Sequence, residues 1–333
     1  MTAAQHALLL LWESLIVGVE VFLQKLWMLR LPPLERIGLS RDGELSCATG
    51  STSLAAPTPA STASTASSDS PSPKVCVVTG PTSGIGREIA KEMHRRGYWV
   101  ILACRNRAKG EQLAAELQGK GLKEPPTPHP LAKASVHVLD VSSLTSVRQF
   151  ANEWNNSVRL PVHVLINNAG IFSMSAPREE TCDGFESHMG TNHLGHFLLT
   201  DLLLPWLKKA RQETGRPARV VNVSSKLHRM GRIHRDDPHL ANDGGFNPLT
   251  AYAQSKLAQV LFAKECSRRY DGVVRCLSVH PGEVLTDVVR SLPGTMQRLY
   301  KLIMRLFLLT PAQGTKVLPR YSAPVSQAPS CLR

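Results

Sequence analysis

The chain has 333 residues, 42% of them hydrophobic, a composition that supplies ample core material and excludes a disordered polymer. Its formal net charge is +13, but the basic residues form no long run and the few aromatics do not alternate with them, so no nucleic-acid partner is expected. The seven cysteines contain no Cys-x-x-Cys pair, and Cys76 and Cys104 lie in apolar strand-like runs; buried free thiols in a reducing compartment fit better than a disulfide framework.

Residues 7–29 are apolar and, as a helix of about 35 Å, long enough to cross a bilayer core. His6, Glu13, Glu20 and Gln24 fall on one face at heptad-like spacing, leaving a broad apolar surface with one narrow polar stripe. A spanning helix has to pair that stripe, whereas a helix lying in the interface points it at water, and both geometries stay open. Two glutamates in the run and no basic stretch before it argue against a cleaved signal peptide. Lys25, Arg30 and Arg36 sit at the C-terminal end, so a spanning helix would leave the bulk of the protein facing the cytosol. The expected organisation is a membrane-associated segment at 1–45, a Ser/Thr/Ala/Pro tether at 46–73 and a globular domain at 74–317, followed by an irregular tail at 318–333.

Within the domain, apolar runs rich in β-branched residues predict strands at 75–79, 99–104, 136–139, 162–167, 219–223 and 273–279. Between them, helical patterns predict helices at 85–96, 109–118, 144–155, 182–209 and 251–270. Strands separated by helices of this length imply an α/β doubly wound parallel sheet, a Rossmann fold, whose ligands bind at the carboxyl ends of the strands beside the strand-order switch.

Directly after the first strand comes Thr79-Gly80-Pro81-Thr82-Ser83-Gly84-Ile85-Gly86-Arg87, opening a helix. Gly80 permits a tight exit from the strand, Gly84 lets backbone approach a pyrophosphate, and Gly86 lets helix pack closely on strand. Amides of the turn from Thr82 and Ser83 through Ile85, helped by the helix dipole, then hold phosphates. Near the end of the second strand an acidic residue would bond a ribose 2′-hydroxyl and a basic one a 2′-phosphate. Here the residues are Cys104-Arg105-Asn106-Arg107, with no carboxylate, and Arg105 offers a guanidinium fork that Arg87 and Ser83 could supplement. The cofactor expected is NADP(H), preferred over NAD(H). Tyr252-Ala253-Gln254-Ser255-Lys256 then sets a phenol and an ammonium one helical turn apart on a helix face. The histidines are dispersed, and no metal is expected.

These residues resemble the short-chain dehydrogenase/reductase superfamily. Its four motifs occur in order: Thr79-Gly80-x-x-x-Gly84-x-Gly86, Asn167-Asn168-Ala169-Gly170, Tyr252-x-x-x-Lys256 and Pro281-Gly282. Leu102-Ala103-Cys104-Arg105, Asn192-His193-Leu194-Gly195-His196-Phe197 and Val221-Asn222-Val223-Ser224-Ser225 are most similar to the retinol dehydrogenase group and its X-linked-type relatives, over residues 74–316. The resemblance implies that Tyr252 is the proton donor or acceptor, Lys256 its partner, Ser225 the substrate-orienting hydroxyl and Asn192 the holder of a relay water. Ser224 is the competing hydroxyl, because neighbours on a strand point to opposite faces. By the same resemblance Asp140 contacts adenine, Thr286 reaches the nicotinamide carboxamide, Lys256 also meets the nicotinamide ribose, and Asn168, Ala169, Gly170, Pro281 and Gly282 line the cofactor site.

The sequence departs from the family pattern in a proline-rich loop at 119–133 and at 318–333, where relatives continue through another helix and strand; a truncated or alternatively spliced form is the expectation. Residues 298–309, basic and apolar, correspond to a substrate lid in the family, but equally suit a membrane contact or a packed helix. The function implied is interconversion of lipophilic alcohols and their aldehydes or ketones, retinoid or polyprenoid in type. The enzyme would be membrane-attached at the endoplasmic reticulum or a lipid droplet, with a homodimer among the open oligomeric states. Two other readings stay open: a catalytically silent dinucleotide-binding or scaffolding protein, and a soluble reductase of small carbonyls.

Overall fold

The computed structural model of the protein describes residues 73–119, 130–172, 178–242 and 246–282. The N-terminal segment and tether, most of the proline-rich loop, Thr286, residues 298–309 and the tail lie outside the described residues.

Six strands form one parallel sheet: β1 Val75–Thr79, β2 Trp99–Cys104, β3 Lys133–Val138, β4 Val164–Asn167, β5 Ala218–Val223 and β6 Val274–Val279. Their order, β3-β2-β1-β4-β5-β6, reverses between β1 and β4. The helices are α1 Gly84–Arg95, α2 Arg107–Leu117, α3 Leu144–Glu153, α4 Gly195–Leu202, α5 Leu204–Thr214 and α6 Pro248–Arg269.

The period of two along each strand sends alternate side chains into two cores. Val75, Val77, Ile101, Ala103 and Leu165 face one side, where Phe150, Leu199, Leu207 and Ala263 of α3 to α6, with Trp154 and Leu203 from the segments beside them, cover them. Cys76, Val78, Val100, Leu102 and Ile166 face the other, where α1 and α2 supply Ile89, Ala90, Met93 and Leu113. A strand buried on both faces has no polar alternation, which is why these runs read as continuously apolar. Cys76 and Cys104 are buried and free, as are Cys266 and Cys276.

The sequence reading needs correction at residues 182–209, which do not form one helix. Thr181 N–H bonds the Phe185 carbonyl at 2.8 Å, Glu180 and Glu186 pair as an antiparallel bridge, and Gly184 takes a left-handed φ of +81°, so a turn occupies the predicted first helical turn. A π-helical segment, Met189–Leu194, follows and leads into α4. The chain breaks again at Leu203, because Pro205 has no N–H to continue the ladder and instead opens α5. α3 likewise ends in a π segment, Trp154–Val158, closed by Arg159 at φ +51°. At the sheet edge, β3 starts three residues before the predicted 136, at Lys133, paired throughout with β2.

Candidate active site

The reversal between β1 and β4 opens a crevice at the carboxyl ends of the strands, and the motif residues meet there. Gly80 and Gly84 adopt φ of +62° and +54°, which ordinary side chains disfavour. At Gly86 a Cβ would lie 2.3 Å from the Gly80 carbonyl oxygen and 2.4 Å from Asn168 Nδ2. The turn is pinned from the next strand: Asn168 Nδ2 donates to the carbonyls of Thr79 (2.9 Å) and Gly80 (3.2 Å).

The buried Thr79 hydroxyl, unremarked in the sequence, is the hub of this corner. It accepts from the amides of Asn168 (2.9 Å) and Ala169 (3.0 Å) and lies 2.9 Å from His196 Nε2 of α4.

The turn fits a dinucleotide phosphate group. Ser83 at the head of α1 makes no side-chain capping bond, and no acidic residue stands in the first turn, so the positive end of the helix has neither a built-in cap nor a repelling charge. Arg105 is exposed just beyond β2, whereas Arg87 is ion-paired with Glu116, which also holds Lys91 at 2.9 Å. Arg87 is therefore already engaged, whereas the Arg105 side chain is open to solvent. Asp140 follows β3, its carboxylate accepting from the Ser142 amide (2.9 Å) and hydroxyl (2.6 Å). Pro281 and Gly282 follow β6, with Pro281 buried and Gly282 at φ +86°.

Helix α6 begins with Asn247, whose side chain caps the Leu249 and Thr250 amides, and with Pro248 in its first turn. This start sets Tyr252 and Lys256 toward the crevice, Lys256 Nζ lying 5.6 Å from the centre of the Tyr252 ring. Phe172 packs on the same ring at 4.4 Å. Lys256 is 5% exposed, and its ammonium donates to the Val223 carbonyl (2.9 Å) and to Gln259 Oε1 (3.2 Å). Burial pushes its pKa down to about 7.

Gln259, one turn beyond Lys256, passes the contact on, since its Nε2 donates to the Asn192 carbonyl at 2.6 Å. The i,i+3 spacing was the available signal for it. Asn192 sits in the π segment, where its Oδ1 accepts from the Ile171 amide (2.8 Å) and its Nδ2 donates to Ser255 Oγ (3.0 Å). A Cβ on Gly170 would stand 2.9 Å from Asn192 Oδ1 and 3.6 Å from Lys256 Nζ. The two serines part as strand geometry requires. Ser224 is buried and donates to the Lys256 carbonyl at 3.0 Å, whereas Ser225 heads a short 3-10 turn and accepts from the Leu227 amide at 3.3 Å.

A dinucleotide-binding sheet carrying a tyrosine and a lysine on one helix at its switch point defines a class of oxidoreductase, and comparison with known proteins agrees. The short chain dehydrogenase family model matches residues 74–237. Human retinol dehydrogenase 11 is 44% identical over 244 residues, 73% of this chain and 70% of its own. Human polyprenol dehydrogenase is 40% identical over 244 residues, 72% and 70% of the two chains. Among solved structures, an uncharacterized protein from Mycobacterium paratuberculosis is 35% identical, covers 77% of this chain and 78% of its own, and superposes with a TM-score of 0.56. The chain belongs to the short-chain dehydrogenase family, within its retinol dehydrogenase group.

Proposed function

We propose that this chain is an NADP(H)-dependent oxidoreductase that interconverts lipophilic alcohols and their aldehydes or ketones, retinoid or polyprenoid in type, with Tyr252 as the acid/base group. The observation that carries the reading is the meeting of Tyr252 with buried Lys256 beside the glycine-rich turn. The names of the relatives favour lipophilic alcohols, and exposed Arg105 with no neighbouring carboxylate favours NADP(H).

A bound nicotinamide supplies or accepts the hydride. A free phenol ordinarily keeps its proton at neutral pH, which suits Tyr252 to give a proton to the developing alkoxide; in the oxidation direction it takes one. The Lys256 ammonium favours the phenolate by attraction, and the negative charge of a dinucleotide in turn favours the ammonium over the neutral amine. Ser225 orients the substrate oxygen and stabilises its growing charge, Ser224 being committed to the α6 backbone. Asn192, through Gln259, anchors the lysine. The N-terminal segment attaches the enzyme to the membrane in which such substrates reside.

The test is NADPH consumption with all-trans-retinal, a polyprenal and a short-chain aldehyde, in parallel with NADH. Turnover of the two lipophilic substrates with NADPH preferred is expected. Binding of NADPH without turnover of any carbonyl would instead support a silent dinucleotide-binding protein, and preference for the short-chain aldehyde a soluble reductase.

A further inference from the structure

Tyr252 has a neighbour that the chemistry above does not use. Glu186 and His188, both about 1% exposed, form a carboxylate–imidazole pair with Nδ1 2.7 Å from Glu186 Oε1. Glu186 also accepts from the backbone amides of His188 (2.9 Å) and Met189 (2.8 Å). Burial raises its carboxyl pKa, but the bonds from His188 and the two amides outweigh burial and hold it below the usual range. An ionised carboxylate only accepts, so Nδ1 is the donor and the imidazole is fixed in both tautomer and rotation. That fixed ring stands edge-on to Tyr252, with centroids 6.0 Å apart and planes at 81°. Phe172 meets the phenol ring at 4.4 Å and Lys256 Nζ at 5.6 Å.

We propose that His188 is a positioning residue for Tyr252: Glu186 locks the imidazole, and the locked ring edge holds the phenol in the attitude from which it transfers its proton. The inference rests on the reading of Tyr252 as the acid/base group. The alternative role is that of a cap alone. Glu186 already closes the start of the helical segment by holding two amides, and for that task an imidazole is unnecessary, since any short donor would complete the carboxylate's bonds. Beyond its bond to Glu186, the ring packs on the phenol of Tyr252. Proton transfer is sensitive to such packing, because a misplacement of about 1 Å costs up to about a hundredfold in rate.

His188→Asn separates the two roles, since its amide nitrogen substitutes for Nδ1 toward Glu186 while the outer half of the ring is lost. Rates are read with all-trans-retinal and NADPH. Ring freedom is read by fluorine NMR of protein labelled with 3-fluorotyrosine, the Tyr252 signal being assigned by its loss in Tyr252→Phe. The expected result is a shifted Tyr252 resonance and a kcat lower by about tenfold, with the KM for NADPH and the thermal midpoint close to wild type. His188→Phe, which keeps a ring edge without the donor, should stay nearer wild type in kcat than His188→Asn and serves if the latter does not fold. An unmoved resonance, or a moved one with unchanged kcat, overturns the proposal. Should wild type turn over nothing, the reading of Tyr252 fails by itself, and the resonance alone decides whether His188 orients the ring.

Discussion

The chemistry assigned to Tyr252 depends on neighbours that differ in kind. In the proposed mechanism Lys256 acts by charge, Phe172 and His188 by contact, and Ser225 by a hydroxyl left at the crevice because Ser224 is spent on the α6 backbone. Under the proposed NADP(H) preference the choice falls to Arg105, because Glu116 holds Arg87. Replacing Arg105 by Glu removes the fork and sets a carboxylate where a 2′-phosphate would lie. The KM for NADPH should rise by more than about tenfold, the value of roughly 1.4 kcal/mol, with little change for NADH. Equal loss for both cofactors would remove Arg105 from the 2′ pocket. Tyr252, Lys256 and the three turn glycines stand out in the sequence because a spacing or a strand–turn–helix context marks them, and Asn168 through the family resemblance alone. The hub role of Thr79, the link through Gln259 and the Glu186–His188 pair were not legible, since Thr79 meets His196 117 residues away, Gln259 meets Asn192 67 residues away, and the pair stands behind a turn that the helical pattern concealed.

At the level of elements, glycines and prolines decided what periodicity could not. The strands inside the sheet were readable to within two residues because doubly buried strands are continuous apolar runs, whereas β3, Lys-Ala-Ser-Val-His-Val, is only half-buried and begins three residues before its predicted start. Residues 182–209 were misread because their apolar residues keep a helical rhythm across a Gly184 turn and a Pro205 break. The first turn of α1 has no room for a side chain at Gly86. Gly86→Ala puts a methyl against a backbone carbonyl and the Asn168 amide, so a loss of about 1–3 kcal/mol in stability is expected. NADPH quenching of intrinsic fluorescence should vanish even where the variant remains folded. Trp154 tests the opposite face of the design. It is fully buried at the start of the π segment that ends α3, in the core cluster with Phe150 and Leu207, and its Nε1 donates to the Leu160 carbonyl at 3.0 Å. Trp154→Ala should cost about 3–5 kcal/mol by urea denaturation while leaving NADPH affinity of the folded fraction intact.

Across the whole molecule, buried bases link the site to stability. Burial lowers Lys256 to about 7, and it lowers His193 and His196 to about 4. Each is a base whose pKa is lower in the folded chain than in the unfolded one, so the unfolded chain binds more protons and stability rises with pH between the two values. For the histidines that window runs from about pH 4 to their ordinary value near 6.5, and for Lys256 from about 7 to about 10.4. Lys256→Met should therefore raise the cofactor-free thermal midpoint most at or below pH 7 and flatten its rise toward pH 9, while removing turnover. A pH slope unchanged by this substitution would show that Lys256 keeps an ordinary pKa in the fold.

The central claim is that one phenol at the switch point of this sheet moves the proton. Its most direct measurement is kcat for NADPH-dependent reduction of all-trans-retinal by wild type and Tyr252→Phe, with NADPH affinity measured on both. Tyr252→Phe should bind NADPH as wild type does and lose activity by about 10²–10⁴-fold. Equal rates in the two proteins would contradict it.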